Sequence, residues 1–229
     1  MTNGPDSGEA RAAARRALTV VTLVWVLALV ASGMHPYDRL TWLMEVAPVL
    51  IALPIMLATG RSFPLSGIAY WLICIHGLIL ILGGAYTYAR VPAGFWVQDW
   101  FDLARNPYDR LGHFAQGFIP AIVVRELLLR VFRLARGKFL FFVTVCICLA
   151  FSALYELIEW CAALVMGQGA QAFLGTQGDE WDTQWDMFLA LIGAITSLLL
   201  LARAHDRQLT RVAPLSDGGI ARRDCEACS

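Results

Sequence analysis

Six apolar stretches, near residues 17–33, 43–59, 65–85, 114–132, 139–163 and 187–202, dominate this chain. In lipid every backbone amide and carbonyl must be satisfied within the protein, which leaves helices or closed barrels. Stretches of this length suit helices, since a span needs roughly 20 apolar residues and tolerates about 17–25. The second and sixth are short on that scale. Only 16% of the 229 residues are charged and 58% are hydrophobic, too apolar for a soluble domain of this size. The expected fold is all-α: a polytopic membrane bundle of about six helices. Residues 1–16 and 204–229 form polar tails flanking a membrane domain over 17–203.

The basic residues orient that bundle. With the N-terminus inside and sides alternating, fourteen of the eighteen Lys and Arg fall on the inner side. Only Arg39, Arg90, Arg105 and Arg110 fall outside. This positive-inside bias predicts both termini in the cytoplasm. A formal net charge of zero argues against nucleic acid as a partner. The first stretch, three arginines before an apolar core and Ala31-Ser-Gly33, has the form of a signal peptide. It is read here as an uncleaved anchor.

The pentapeptide Pro36-Tyr-Asp-Arg-Leu40 recurs as Pro107-Tyr-Asp-Arg-Leu111, each copy opening an apolar segment. Proline suits a first helical turn and Asn106 suits the cap before it. The aspartates Asp38 and Asp109 are expected near the third helical position, beside free amides. The repeat is thus largely a device for starting helices. Between the copies, Trp96, Trp100 and Leu103 share one helical stripe, which predicts a short interfacial helix near 94–105.

What surrounds the repeat carries the chemistry. From Asp109, steps of four and three reach His113 and Gln116 on one stripe; Glu45 takes the place of Gln116 in the first copy. Glu156 and Glu159 are neighbours on the fifth span, and Asp182 and Asp186 precede the sixth. His35, Asp38 and His76 fall in the same outer half, and eleven of the eighteen acidic residues are outer. A carboxylate inside a bilayer costs roughly 2.5–3.5 kcal/mol, so these groups are expected to converge on a site. Asp179 and Glu180 are read as solvated loop, and His76 as structural.

Histidine with several carboxylates suits a divalent cation such as zinc, manganese, magnesium or calcium. The candidate ligands are His113, Glu156, Glu159 and Asp186. The same set suits metal-free acid–base catalysis, with His113 held by Asp109 and with Glu156 or Glu159 taking a proton. Glu45, Gln116, Asp182 and Asp186 would line the ligand site. No nucleophile elbow, P-loop or HExxH motif is present. Two functions stay open: binding or moving an amphipathic, lipid-linked envelope ligand or a cation, or a membrane-embedded hydrolase or transferase. Scaffolding is a third. Cys225 and Cys228 form one CxxC, half a zinc site at best. Cys74, Cys146, Cys148 and Cys161 lie in apolar spans, where thiols behave as small hydrophobes.

The stretches His35 to Pro48, Gly94 to Trp100, Asn106 to Gly117 and Tyr155-Glu-Leu-Ile-Glu-Trp160, with Asp182 to Asp186, resemble the YjdF family of bacterial inner-membrane proteins. The likeness covers about residues 18–203 and implies location and fold but no activity. A shorter resemblance is to VanZ-like membrane proteins of the cell envelope. Asp109-Arg-Leu-Gly-His113-Phe114, then Glu156 with Glu159, then Asp182 with Asp186 and Gly193 follow the order of that group's motifs. Arg110 stands where that group has lysine, and Asp186 and Gly193 depart from its spacing.

Overall fold

The computed structural model describes residues 5–166 and 176–212. Among them the chain forms seven helices: α1 (Pro5–Met34), α2 (Arg39–Thr59), α3 (Gly67–Tyr86), α4 (Pro92–Phe101), α5 (Tyr108–Arg130), α6 (Lys138–Met166) and α7 (Asp182–Val212). A single 3₁₀ turn, Tyr88–Arg90, joins α3 to α4. Helices α1, α2, α3, α6 and α7 are each long and apolar enough to cross a membrane. The sixth long helix, α5, has 23 residues but carries Asp109, Arg110, Arg125, Glu126 and Arg130. It runs through the middle, packed by α3, α6 and above all α7. Large apolar side chains such as Leu27, Leu199 and Leu200 point outward from the other helices, as lipid-facing surface requires.

The short second and sixth apolar stretches lie inside longer helices. Pro48 and Pro54 sit within α2, where neighbouring helices stand in for the lost amides. Helix α7 continues nine residues past Arg203 to Val212, and His205 and Leu209 on that extension are fully buried. Cys225, Cys228 and part of the acidic loop lie outside the described residues.

One stripe of α7 explains its grip on α5. Asp182, Asp186, Ala190, Ala194, Ser197, His205 and Leu209 are all buried and follow helical steps of three, four and eight. Small residues in the middle let the backbones meet: Gly117 lies against the Ala190 carbonyl, and Gly193 against the Phe114 carbonyl and the Phe118 amide. Polar residues occupy both ends of this stripe. The other core joins α1, α2 and α3 around Val21, Trp25, Val46, Val49 and Tyr70, with the Trp25 indole donating to the Cys74 carbonyl at 3.2 Å.

The two pentapeptides start their helices differently. Asp38 is the N-cap of α2 itself, accepting the Thr41 amide at 2.7 Å, rather than the third helical residue. Asp109 is the second residue of α5 and is buried. Asn106 still serves the α5 start: its Oδ1 accepts from the Tyr108 amide and its Nδ2 donates to the Val91 carbonyl, both at 3.0 Å. The Thr41 amide holds the Asp38 carboxyl below the usual carboxylate range. A depressed folded-state pKa stabilises above about pH 4 and is lost as pH falls through that region. Asp38→Ala should therefore lower stability by about 1 kcal/mol at neutral pH. The deficit should shrink on acidification, as thermal unfolding in detergent at two pH values would show.

Candidate functional site

His113 stands at the centre of the acidic end of α5. Its Nε2 lies 3.6 Å from Asp109 Oδ1 and 3.6 Å from Asp186 Oδ2. Its Nδ1 lies 3.1 Å from Gln116 Oε1 and 3.8 Å from Glu156 Oε1. Two sets of three atoms each fit within 4.8 Å: Asp109, His113 and Asp186, and His113, Glu156 and Glu159. Glu45 joins through Tyr155, whose hydroxyl donates to Glu45 Oε2 at 3.2 Å. The Tyr155 ring stands edge-on to His113 with centroids 6.5 Å apart.

All of the expected residues Glu45, Asp109, His113, Glu156, Glu159, Asp182 and Asp186 are buried here, Asp186 to 2% exposure. Gln116 is half-buried beside them. His35 and Asp38 are exposed and stay outside the cluster. His76 also stays outside, on an apolar wall, with a buried Nε2 that has no hydrogen-bond partner. Asp179 is not solvated loop. Its Oδ2 accepts from Arg110 Nη2 at 3.0 Å and lies 3.6 Å from Arg105 Nη1, whereas Glu180 is exposed.

Two participants were not among the expected site residues. Arg105 binds Asp109 at 3.2 Å, forms a close ion pair with Asp182, and donates to the Thr176 carbonyl at 3.1 Å. It thereby ties the α5 start to the α7 start. Tyr155 is four residues before Glu159 and so shares its face, a spacing that would have found it.

Charge decides what this arrangement can do. Six buried carboxylates, Glu45, Asp109, Glu156, Glu159, Asp182 and Asp186, face one half-buried arginine, Arg105, and one buried histidine. Glu156 Oε1 and Asp186 Oδ1 are buried without a hydrogen-bond partner. Acceptors left this dry cost several kcal/mol unless something compensates them. A cation or bound protons would supply that compensation.

A second buried network, unforeseen from sequence, closes the other end of α5. Glu126, at 0% exposure, accepts from the Ser66 amide at 3.0 Å, from Arg130 Nη1 at 2.5 Å and from His205 Nε2 at 3.0 Å. Arg125 donates to His205 Nδ1 at 2.9 Å, which places the His205 proton on Nε2. Asp206 accepts from Arg125 and Arg136 at 2.9 and 3.0 Å. These charges are matched, unlike those around His113.

The family model described as predicted membrane protein (DUF2238) matches residues 17–207. The inner membrane protein YjdF of Escherichia coli strain K12 is 56% identical over 194 residues, 85% of this chain and 93% of that protein. No solved structure matches the chain. With five helices long and apolar enough to span a membrane, beside a polar α5, this chain belongs to the DUF2238 family of membrane proteins.

Proposed function

We propose that this protein binds a divalent cation at the His113 cluster and there handles an amphipathic or lipid-linked envelope ligand. Its place is the inner membrane, as the name of its Escherichia coli relative says of that protein. Both termini are cytoplasmic and the site faces the periplasm, the orientation that the distribution of arginines favours. The observation that carries the reading is the pair of buried, unpartnered oxygens, Glu156 Oε1 and Asp186 Oδ1, on the two carboxylates that flank His113.

Gln116 Oε1 accepts a hydrogen bond from His113 Nδ1–H, which leaves the Nε2 lone pair facing Asp109 and Asp186. This is how an outer partner commonly orients a ligating histidine. One nitrogen with two carboxylates suits zinc or manganese better than calcium, which prefers six to eight oxygens. Tyr155 and Gln116 then orient ligands rather than supply them.

Metal analysis of the purified protein tests this directly. Wild type should retain close to one equivalent of zinc or manganese after dialysis. His113→Ala should retain at least about tenfold less, on the scale of losses that even outer-partner changes produce. Equal content in the two proteins rejects the site.

A membrane-embedded hydrolase or transferase is the second reading. The flanking of His113 by Asp109 on one nitrogen and Glu156 on the other favours it, since that geometry orients a general base. Loss of hydrolysis of a lipid-linked substrate in Glu156→Gln, with cation content kept, would support it.

A further inference from the structure

Carboxylates meet the His113 ring on both of its nitrogens. On one side, Nε2 lies 3.6 Å from Asp109 Oδ1 of α5 and 3.6 Å from Asp186 Oδ2 of α7. On the other, Nδ1 lies 3.8 Å from Glu156 Oε1 of α6. There His113, Glu156 and Glu159 offer atoms within 4.8 Å of one another. The two nitrogens of an imidazole are distinct and point away from each other. An ion held by Nε2 therefore serves the side of Asp109 and Asp186. Of the two buried oxygens without a hydrogen bond, Asp186 Oδ1 belongs to that side and Glu156 Oε1 to the other. Glu156 is only 7% exposed, and an acceptor so buried is costly to leave without a donor or a cation.

Charge points the same way. With His113 neutral, Arg105 and one divalent cation bring three positive charges to six buried carboxylates. Three negative charges stay uncompensated. The Tyr155 hydroxyl already donates to Glu45, which leaves Glu156 and Glu159 as neighbours on one turn of α6. Two carboxylates so placed repel each other, more strongly when buried than in water. A second divalent ion removes that repulsion and lowers the excess to one.

We propose that the cluster is a two-cation centre, with a second divalent ion held by Glu156 and Glu159 on the Nδ1 side of His113. The proposal rests on the cation site above and gives it a neighbour. Nδ1–H donates to Gln116 Oε1, so this nitrogen has no lone pair to offer and the second ion is held by oxygens. Oxygen ligands suit a hard cation. Two carboxylates suit magnesium, which binds through one or two of them and keeps waters elsewhere, better than calcium, which takes six to eight oxygens. The position with nitrogen keeps its ion through dialysis; the second ion is the exchangeable one.

Equilibrium dialysis of the purified full chain in detergent tests this. Zinc-loaded protein, freed of excess zinc, is equilibrated with magnesium, and metal analysis reads both ions in the same sample. Wild type should hold close to one zinc and close to one magnesium per chain. Glu159→Gln should keep its zinc and bind magnesium at least about tenfold more weakly, on the scale that changes around a metal produce. Glu159→Asp, which keeps the charge on a shorter stem, should fall between the two. One zinc without magnesium in wild type overturns the second position and leaves the first standing. Magnesium binding unchanged in both Glu159 variants also overturns it, because the ion then sits elsewhere. Neither ion in wild type rejects both positions together. Magnesium without zinc in wild type, weakened in Glu159→Gln, rejects the first position alone and keeps the second.

Discussion

Gly117→Ala should cost at least about 3 kcal/mol, the upper end of what overpacking usually costs. The midpoint of thermal unfolding should fall by roughly 6–12 °C for a chain of this size. A Cβ at this position would overlap the Ala190 carbonyl oxygen of α7. Backbone on one helix meeting backbone on another cannot be relieved by a rotamer change, so the crossing must open. Gly193→Ala, which collides with the Phe114 carbonyl, should behave alike. Both contacts lie close to the site: Phe114 follows His113, and Ala190 is one turn from Asp186. The 3.6 Å approach of His113 Nε2 to Asp186 Oδ2 depends on that crossing, so cation content should fall with stability. Gly8→Ala, with open space around its Cβ, is the control and should leave both unchanged. A Gly117→Ala protein with wild-type unfolding would show that α5 and α7 do not cross this closely.

How much of this was legible in the sequence follows the range of the interactions concerned. Spanning helices announce themselves locally through about twenty apolar residues in a row, and α1, α2, α3, α6 and α7 meet that rule. The three-and-four spacing of Asp109, His113 and Gln116 is also local, and it placed their side chains together correctly. Convergence of Glu45, Glu156, Glu159, Asp182 and Asp186 followed from the cost of leaving carboxylates in lipid. That argument is silent about pairing. It could not tell that Arg105 would bridge Asp109 and Asp182, residues four and seventy-seven positions away. The sequence did separate His113 from His76, because only His113 shares a helical stripe with polar neighbours, Asp109 and Gln116. Only the packing of α5 against α6 and α7 brings carboxylates to one and an apolar cleft to the other. Asp38 stands three positions before its expected place because its carboxylate caps the helix, accepting the Thr41 amide.

Glu126→Ala should be the most destabilising single change at the opposite end of the bundle, by about 3–5 kcal/mol. The carboxylate is fully buried and accepts from the Ser66 amide, Arg130 and His205. Removing it strands an arginine, an imidazole N–H and a backbone amide together. Ser66 and His205 are fully buried and the Arg130 side chain is 8% exposed, and unmade hydrogen bonds cost more there than made ones contribute. Arg130 keeps one partner, the Pro64 carbonyl at 2.7 Å, and a stacking position 3.8 Å over the Phe63 ring, so the loss is not total. Glu126→Gln retains acceptor geometry without the charge and should lie between the variant and wild type. The network joins the start of α3, the end of α5 and the end of α7, and none of these segments touches the His113 cluster. Thermal unfolding in detergent should therefore show a large loss for Glu126→Ala while the fraction that remains folded keeps its cation. His113→Ala should lose the cation and stability together, since the carboxylates around it then go uncompensated. If Glu126→Ala unfolds like wild type, water reaches this end of α5 and the closed network is wrong.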